Sequence, residues 1–355
     1  MQTLTLPELE AAQAELDADV AATPGLDHFC SSSAWGVPFF KAFGQPTDAP
    51  MVLRSDAGWA TLAVRQVEDV GRVWSPLEAM WLLGLPIIAA RDKGPSGPMA
   101  IAFDLAMHAA ANRGAWDALW ISGLPREGAT IAALARALSS VARLFIGPSA
   151  SRHVVRLDAP TPGGGFDAWY GRRSAEFRKK TRQEVRRADA DGLHVTRFTA
   201  DSSTARPDDV VIRTAAEADA LYDRILAIEA QSWKGQIGSG FVEGGMCAFY
   251  RHMLPVLAAR GTLRVQIGQL GDRDVCFLFG GLFPAGEATT FRGLQMSFDA
   301  EQRALGLGNI MQIKMLQWLS ETGAATRYDL GSDMAYKQRW SDGTHDTLTL
   351  IARPR

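Results

Sequence analysis

A short glycine-containing segment between a predicted strand and a predicted helix constrains this chain more than any other feature. The segment is Arg303-Ala-Leu-Gly306-Leu-Gly308, with an alternating run at 289–298 before it and an apolar run at 307–320 after it. Glycines at such a junction leave the backbone N–H groups of the first helical turn open to a ligand. Those N–H groups and the positive end of the helix dipole attract anions, and Arg303 adds a charged donor. The arrangement predicts a pyrophosphate-binding site.

Composition narrows the class of protein. A length of 355 residues predicts one large or two ordinary domains, and a hydrophobic content of 47 % can supply their cores. The formal net charge of −2 gives no global reason to expect nucleic acid or an anionic membrane as a partner. Cys30, Cys247 and Cys276 are too widely spaced for a disulfide framework or a metal site. We expect them to be reduced thiols of a cytoplasmic protein.

Neither a targeting segment nor a metal site is expected. The first residues lack a basic stretch followed by a long apolar run, which a signal peptide requires. The most apolar segment, 77–90, contains Glu78 and Pro86 and is too short to span a bilayer. The histidines show no ligand spacing, so no metal is predicted; those considered are His153, His194, His252 and His345.

A proline- and glycine-rich stretch at 157–165 is the best candidate for a linker, because these residues interrupt both helices and strands. It predicts two domains, 1–157 and 166–355. The second has a clear order of elements. The patterns predict helices at 166–190, 216–232, 246–260 and 307–320, and strands at 193–198, 263–267, 275–279, 289–298 and 326–330. Turns at 271–273 and 284–286 separate the strands of the meander, which indicates a mixed α/β sheet.

The first half repeats this layout. An arginine and glycine loop at 91–97 precedes a predicted helix at 99–113, and Gly114 and a predicted strand at 118–121 follow. Two copies of one fold explain the repeat. Prolines interrupt the first loop, and Pro98 has no N–H to donate, so we expect the first copy to be a degenerate, structural domain.

Four motifs in residues 166–345 carry a resemblance to a known family. They are the basic segment 174–187, the segment 228–235, Phe298-Asp299 nine positions before Gly308, and the closing Tyr336-Lys337-Gln-Arg-Trp340. With the R-x-x-G-x-G loop, they resemble the GNAT acyltransferase superfamily. More narrowly, they resemble its branch that joins two GNAT folds, the CelD-like acetyltransferases and the Fem-type peptidyltransferases. Many branch members have Ser-Pro-Gly where this chain has Gly306-Leu-Gly308, a departure that favours coenzyme A over aminoacyl-tRNA as donor.

The resemblance implies a fold, a reaction and a donor site. The fold is α/β, with two tandem GNAT-like domains, each a mixed and mostly antiparallel sheet flanked by helices. The reaction moves an acetyl or longer acyl group from acyl-CoA to an amine, with amino sugars of the cell envelope or of exopolysaccharides as the family's usual acceptors. Polysaccharide biosynthesis is therefore the expected context. The expected donor-binding residues are Gln295, Met296, Ser297, Phe298, Arg303, Gly306, Leu307, Gly308 and Asn309.

Acyl transfer also needs an acid for the thiolate and a base for the amine. Tyr336 can protonate the thiolate, because a phenol has a pKa near that of a thiol, and Lys337 can hold the oxyanion or a phosphate. The alternatives are a packing tyrosine and a surface ion pair. Candidate bases are Glu229, Asp299 and Asp333; Trp233 and Asp299 are candidate acceptor contacts, with core packing as the alternative for Trp233.

Two other functions stay open. A Fem-type aminoacyl-tRNA-dependent transferase would use the eight cations of the basic segment at 172–187 to hold tRNA phosphates. Only Phe177 interrupts those cations with an aromatic ring, so a solvated helix face explains them equally well. A non-catalytic member of the fold that binds a partner or a polysaccharide is the second alternative.

Overall fold

The computed structural model describes residues 1–157, 164–285 and 288–355. Most of the predicted linker, 158–163, and Gly286 of the predicted turn at 284–286 lie outside the described residues. Two compact units divide the chain. The first unit comprises Met1–Ser151 with His345–Arg355, and the second comprises Arg152–Thr344. The last residues of the chain therefore pack with the first unit, whereas the bounds inferred from the sequence placed them with the second.

The first unit contains a mostly antiparallel sheet with helices. Its elements are β1 (Gln2–Leu4), α1 (Leu6–Ala11), α2 (Gln13–Ala22), α3 (His28–Ser31), α4 (Ser33–Phe43), β2 (Ala49–Ser55), β3 (Gly58–Val67), β4 (Gly71–Pro76), β5 (Ile87–Ala89), α5 (Gly97–Ala111), β6 (Ala118–Pro125), α6 (Ala129–Leu138), the first part of β7 (Ala142–Arg156) and β14 (Gly343–Pro354). Short 3₁₀ helices lie at Arg91–Ser96 and Arg113–Ala115.

The strand order of the first unit is β1-β2-β3-β4-β6-β14, with β5 paired to β3. Every pair is antiparallel except β4 with β6, which run parallel on either side of the α5 crossover. A Thr5–Glu8 capping box starts α1, since each side chain satisfies a backbone N–H of the first turn.

The second unit is built in the same way. Its elements are residues 152–156 of β7, α7 (Gly165–Gly171), α8 (Ala175–Ala190), β8 (Leu193–Thr199), β9 (Asp209–Val211), α9 (Ala215–Gln231), α10 (Trp233–Gln236), α11 (Gly244–Ala259), β10 (Leu263–Leu270), β11 (Arg273–Ala285), β12 (Ala288–Phe298), α12 (Leu307–Glu321) and β13 (Arg327–Ser332). Two more 3₁₀ helices lie at Ala300–Leu305 and Ala335–Lys337.

Strands of the second unit follow the order β7-β13-β12-β11-β10-β8-β9. The meander β10-β11-β12 is antiparallel, and β12 then pairs in parallel with β13 after the α12 crossover. This layout matches that of β2-β3-β4, α5 and β6 in the first unit. The predicted fold class, two copies of a mixed and mostly antiparallel sheet flanked by helices, is confirmed.

One predicted helix is divided. The single helix expected at 166–190 is α7 followed by α8, because Ser174 adopts an extended conformation and its side chain accepts from the N–H of Phe177. An N-cap serine satisfies a free N–H of a new first turn, which favours a fresh start over continuation. The basic segment is therefore mainly the exposed face of α8.

The core of the second unit lies between α12 and the sheet. Leu307, Ile310, Met311, Met315 and Leu319 of α12 are fully buried. Each buried side chain of this size contributes about 1.5–3 kcal/mol relative to an exposed one. This packing fixes the start of α12 against the carboxyl end of β12. No helix among the described residues is both long and apolar enough to cross a membrane.

Candidate functional site

The glycine loop, residues 303–308, has the backbone geometry of an anion site. Gly306 lies in the left-handed region, with φ 72° and ψ 29°, which a residue with a side chain adopts only with strain. Its carbonyl accepts from the N–H groups of Asn309 and Ile310, at 3.0 and 3.3 Å. Leu307 and Gly308 are the first two residues of α12, so their N–H groups have no carbonyl partner within the helix. Of the two, Gly308 lines the cleft, so its N–H can face an anion there.

A strand edge lies open beside the loop. Within the described residues, β12 pairs with β13 at residues 290–292 and with β11 along its carboxyl half, and Ser232 forms an isolated antiparallel bridge with Asp299 just beyond its end. The N–H of Asp299 donates to the carbonyl of Val275 at 2.8 Å. Bonded and non-bonded residues alternate along an antiparallel pair, so Met296 and Phe298 direct their backbone N–H and C=O groups away from β11. This open edge can bond an extended ligand.

The loop and the open edge border one cleft of about 210 Å³. Its lining includes Met296, Phe298, Gly306, Gly308, Asn309 and Tyr336. A Cβ at position 308 would lie 3.4 Å from Cε of Met296 and 3.6 Å from Cε1 of Phe298, so the loop directly faces the strand. The structure brings together the glycines, two of the four predicted β12 residues, and the predicted acid.

A buried aromatic group supports the cleft. Trp340 lines the cleft and stacks on Trp169 with ring centroids 6.0 Å apart. The indole N–H of Trp169 donates to the carbonyl of Trp340 at 3.1 Å. Phe177 of α8 meets Trp340 edge-on at 4.9 Å. The closing aromatic motif of the sequence therefore holds α7 and α8 beside the cleft.

One carboxylate at the loop, that of Glu184, was not among the site residues predicted from the sequence. Asn309 donates through Nδ2 to both oxygens of Glu184 on α8, at 2.9 and 3.2 Å. A Cβ at Gly306 would lie 3.0 Å from Oε1 of Glu184. Arg339 donates to Oδ1 of Asn309 at 3.1 Å. The first turn of α12 therefore already contacts a carboxylate of the protein itself, that of Glu184.

The other predicted loop residues have different surroundings. Leu307 is fully buried and is not among the residues that line the cleft. Arg303 lies on the 3₁₀ helix at Ala300–Leu305, is exposed, and forms no side-chain hydrogen bond or ion pair within the described parts of the chain. Its guanidinium is not among the groups that line the cleft.

Tyr336 and Lys337 lie on the 3₁₀ helix that follows β13. Tyr336 is 43 % exposed and lines the cleft, and burial of its ring raises its pKa while Arg339 acts in the opposite direction. Lys337 is buried and donates to the carbonyl of Ser332 at 2.8 Å. Burial, with the neighbouring Arg292, lowers the pKa of Lys337 to about 8. Its ammonium lies 5.9 Å from the ring centroid of Tyr336.

Behind these two residues lies a buried ionic cluster formed by Arg152, Arg292, Asp329 and Lys337. Asp329 is paired with Nη1 of Arg292 at 2.9 Å and with Arg152, and it accepts from the N–H of Gly331 at 2.7 Å. All four charged side chains are less than one-tenth exposed. Asp329 is the carboxylate among these three cations, and it raises the pKa of Lys337 against the effects of burial and Arg292.

The candidate bases occupy two environments. Glu229, at the end of α9, is fully buried; Oε2 accepts from the hydroxyl of Ser232 at 3.2 Å, and Oε1 has no hydrogen-bond partner among the described residues. Asp333 is exposed and lies 2.7 Å from Nε2 of His153, whose Nδ1 lies 3.0 Å from the hydroxyl of Ser341. Of these two candidate bases, Glu229 is the buried one.

Lys234 connects Glu229 to the open strand edge, and sequence reasoning did not select it. Its ammonium donates to the carbonyl of Met296 at 3.3 Å and lies 3.9 Å from Oε1 of Glu229. Burial lowers the pKa of Lys234, and Glu229 opposes that shift. The only sequence signal was its position within the 228–235 motif, next to Trp233.

The remaining predicted residues lie outside the cleft lining. Trp233 is 51 % exposed. Asp299 is buried; Oδ1 caps the 3₁₀ helix through the N–H of Glu301, and Oδ2 accepts from Arg273, both at 2.9 Å. Gln295 donates to the hydroxyl of Tyr250 at 3.0 Å, and Ser297 is buried. These contacts favour a structural role for Asp299 and Gln295. Within the described residues, no group of three or more metal-ligating side chains is placed to hold a metal ion.

The corresponding loop of the first unit, residues 91–97, borders a surface pocket of about 490 Å³ through Arg91, Asp92 and Lys93. Arg91 donates through its N–H and Nη1 to Oδ1 of Asp19, at 3.1 and 3.2 Å. A Cβ at Gly97 would lie 2.9 Å from Cβ of Ala89. Close contact between the start of α5 and β5 therefore leaves no room for a side chain at Gly97.

Comparisons with known proteins agree with this geometry. Residues 175–338 match a protein family described as an acetyltransferase (GNAT) domain. Among solved structures, FemX is similar over 98 % of this chain and 97 % of its own, with a TM-score of 0.60 and 12 % identity. A conserved protein of unknown function from Bacteroides thetaiotaomicron VPI-5482 is similar over 99 % of both chains (TM-score 0.57, 11 % identity). L-PGS from Bacillus licheniformis is similar over 96 % of this chain and 91 % of its own (TM-score 0.53, 14 % identity). None of the curated protein sequences compared matches the chain.

The fold and the site together define the class of protein. A helix that starts at a glycine loop beside a splayed parallel strand pair is the architecture of a GNAT-type acyltransferase, as the resemblance in sequence predicted. Residues 175–338 of the second unit carry the match to the GNAT acetyltransferase domain family. At 11–14 % identity, the similarity to the solved structures is a similarity of fold.

Proposed function

We propose that this protein is an N-acyltransferase that moves an acetyl or longer acyl group from acyl-CoA to an amine in the cleft of the second unit. One observation carries the proposal. The same cleft borders the N–H groups that start α12 and the outward backbone of Met296 and Phe298. An anion site next to an open strand edge suits a donor that has a diphosphate at one end and an amide-containing arm at the other.

Each part of the donor then has a counterpart. The diphosphate binds the N–H groups of Leu307 and Gly308, and the pantetheine arm extends β12 along its open edge. A backbone N–H of Met296 or Phe298 polarises the thioester carbonyl, which stabilises the oxyanion. The amine nitrogen forms the new C–N bond as the C–S bond breaks, without a covalent enzyme intermediate. Alignment of the two reactants supplies up to about 7–11 kcal/mol of the barrier reduction.

Proton transfer is assigned to two sides of the cleft. The thiolate takes a proton from Tyr336, whose pKa is raised by burial, so the phenol is protonated at neutral pH. The amine gives its proton to Glu229, which is fully buried and whose Oε1 has no hydrogen-bond partner in the described part of the chain. Asp333 is the alternative base, and its contact with His153 makes it the weaker candidate. Lys337 holds developing negative charge near Tyr336.

The acceptor we propose is an amino sugar of an envelope or extracellular polysaccharide, in a CelD-like role. Trp233 supports this, because an indole that is 51 % exposed offers a flat face on which a sugar ring stacks. It adjoins Lys234, and so lies on the same side of β12 as Glu229.

A Fem-type aminoacyl-tRNA-dependent transferase is the second candidate. The exposed cations of α8 favour it, and this helix packs beside α12 and the 3₁₀ helix that precedes it. They include Lys179, Lys180, Arg182, Arg186 and Arg187. Binding of tRNA that weakens steeply with salt, without binding of coenzyme A, would favour this candidate. Binding of coenzyme A without turnover on any amine would indicate a non-catalytic member of the fold.

Acetyl-CoA should raise the melting temperature of the wild-type protein, because a ligand that binds only the folded state stabilises it by mass action. Arg303→Ala should reduce the rise without abolishing it. An exposed ion pair with a phosphate contributes about 0.2–1 kcal/mol, which corresponds to a loss of about 1.4- to fivefold in affinity. Differential scanning fluorimetry over a range of acetyl-CoA concentrations measures both effects. No shift in the wild-type protein at saturating acetyl-CoA would refute the proposed donor.

Tyr336→Phe should lower the rate of thiol release from acetyl-CoA by about a hundredfold, since a positioned acid contributes about 10²–10⁴-fold. The phenol forms no hydrogen bond that holds the fold among the described residues, so the melting temperature should stay within about a degree. Thiol release with a panel of amino sugars measures the rate. A variant with the wild-type rate would remove Tyr336 from the mechanism and leave the donor site intact.

A further inference from the structure

Glu184 of α8 contacts the first turn of α12 beside the glycine loop. Both of its carboxylate oxygens accept from the side-chain amide of Asn309, in the first turn of α12. Its Oε1 lies 3.0 Å from the place where a side chain on Gly306 would begin. Gly306 and Asn309 both line the cleft. A diphosphate bound to the first turn would lie against this carboxylate.

We propose that the carboxylate of Glu184 competes with the donor's diphosphate for the first turn of α12. Because this carboxylate has to move before the donor binds, it sets the affinity and selectivity of the site. This inference rests on the proposed function and identifies a residue that controls it. In the free protein the carboxylate neutralises the positive end of α12, a favourable arrangement. Weakly bound anions of the cell must displace it, and only a ligand with additional contacts does so readily.

The neighbours of Glu184 allow such a movement. Lys180 lies one turn earlier on α8, with its ammonium 3.9 Å from Oε1 of Glu184 and its side chain 59 % exposed. Rotation of the Glu184 side chain toward solvent keeps this ion pair and breaks only the bonds to Asn309. The amide of Asn309 then becomes a free donor for a phosphate oxygen. Arg339, now bonded to Oδ1 of Asn309, is the cation placed nearest to the freed amide.

The alternative is that Glu184 simply holds the loop in shape. The two roles predict opposite effects of removing the charge. If the carboxylate competes with the donor, its neutral isostere binds coenzyme A more tightly. If it organises the loop, the same change leaves Asn309 less well oriented and weakens the binding. The sign of the change in affinity therefore separates a competitor from a structural contact.

Glu184→Gln tests the proposal, with Glu176→Gln as its matched control. Glu176 is on the same helix, is exposed, and is the other acidic residue among the cations of this segment. Isothermal titration calorimetry with coenzyme A should show at least about a fivefold lower Kd for Glu184→Gln than for wild type, the scale of one removed repulsion between two charges about 4 Å apart in bulk water. The gain should shrink as salt is raised, because an exposed repulsion is screened. Glu176→Gln should bind as wild type does.

Glu184→Ala provides a second variant that cannot hydrogen-bond to Asn309 at all. It should also bind coenzyme A more tightly than wild type. Unchanged or weaker binding by both Glu184 variants, with normal melting temperatures, would overturn the competitor role while the proposed donor site stands. Absence of coenzyme A binding by wild type and by all variants would overturn the donor site itself, and this inference with it.

Discussion

Gly308→Glu should abolish detectable binding of acetyl-CoA. A side chain at this position starts 3.4 Å from Met296 and 3.6 Å from Phe298, and therefore projects into the gap between loop and strand that the donor has to enter. The carboxylate also repels the diphosphate at the N–H groups that should bind it. Steric exclusion and like-charge repulsion together should raise the Kd at least about a hundredfold, equivalent to about 2.7 kcal/mol. Calorimetry with acetyl-CoA measures the loss.

Two controls separate this effect from damage to the fold. A glutamate in the first turn of a helix interacts favourably with the helix dipole, so the variant should fold and melt as wild type does. Gly114→Glu places the same side chain where nothing lies within 4 Å of the new Cβ, and it should bind acetyl-CoA normally. Gly308→Gln should lose less affinity than Gly308→Glu, since it fills the cleft without the charge. Wild-type affinity in Gly308→Glu would show that the donor binds elsewhere.

Asp329→Asn should destabilise the second unit by about 3–5 kcal/mol, the usual cost of leaving a buried charge without its partner. The substitution keeps an oxygen that can accept from the N–H of Gly331. It removes the negative charge that Arg152, Arg292 and Lys337 share in a site less than one-tenth exposed. Single domains are stable by about 5–15 kcal/mol, so this loss takes a large part of the total.

Urea unfolding followed by tryptophan fluorescence measures the change in the free energy of unfolding. Asp272→Asn, on the exposed turn between β10 and β11, is the matched control and should change it by less than about 0.5 kcal/mol. A second comparison adds Lys337→Met to Asp329→Asn, which removes one of the uncompensated cations. The double variant should recover part of the loss. A cost below about 1 kcal/mol for Asp329→Asn would mean that water solvates the cluster.

Elements with strong local signals were predicted closely. The helix expected at 307–320 is Leu307–Glu321, and the strand expected at 289–298 is Ala288–Phe298. In both cases the pattern of apolar residues matches the period of the element, and glycine marks the junction. The helix expected at 166–190 is two helices, because Ser174 caps the start of the second one. The spacing of apolar residues, on which the prediction rested, carries no information about such a cap. Capping depends on one side chain and its conformation.

The candidate site was predicted in part. The loop glycines, Asn309, Met296, Phe298 and Tyr336 do line a single cleft. The donor-binding and catalytic roles of these residues stay predictions. Lys234 and Glu184 entered only with the structure, since a charged residue on a helix is most often solvated and no spacing rule relates either one to a loop that is distant in sequence.

The sequence by itself determined the local pieces: a helix that begins at glycines, a strand before it, and a closing aromatic motif that the resemblance made recognisable. These depend on neighbours a few positions apart, whose backbone preferences and apolar spacing are readable along the chain. Only the tertiary structure decided which charges meet at the site. Glu184 and Asn309 are 125 positions apart, and Arg152 and Asp329 are 177 apart. Such pairs form because packing of helices on the sheet brings side chains that are distant in sequence together. Burial then makes the interaction energy between their charges larger than it is between exposed charges.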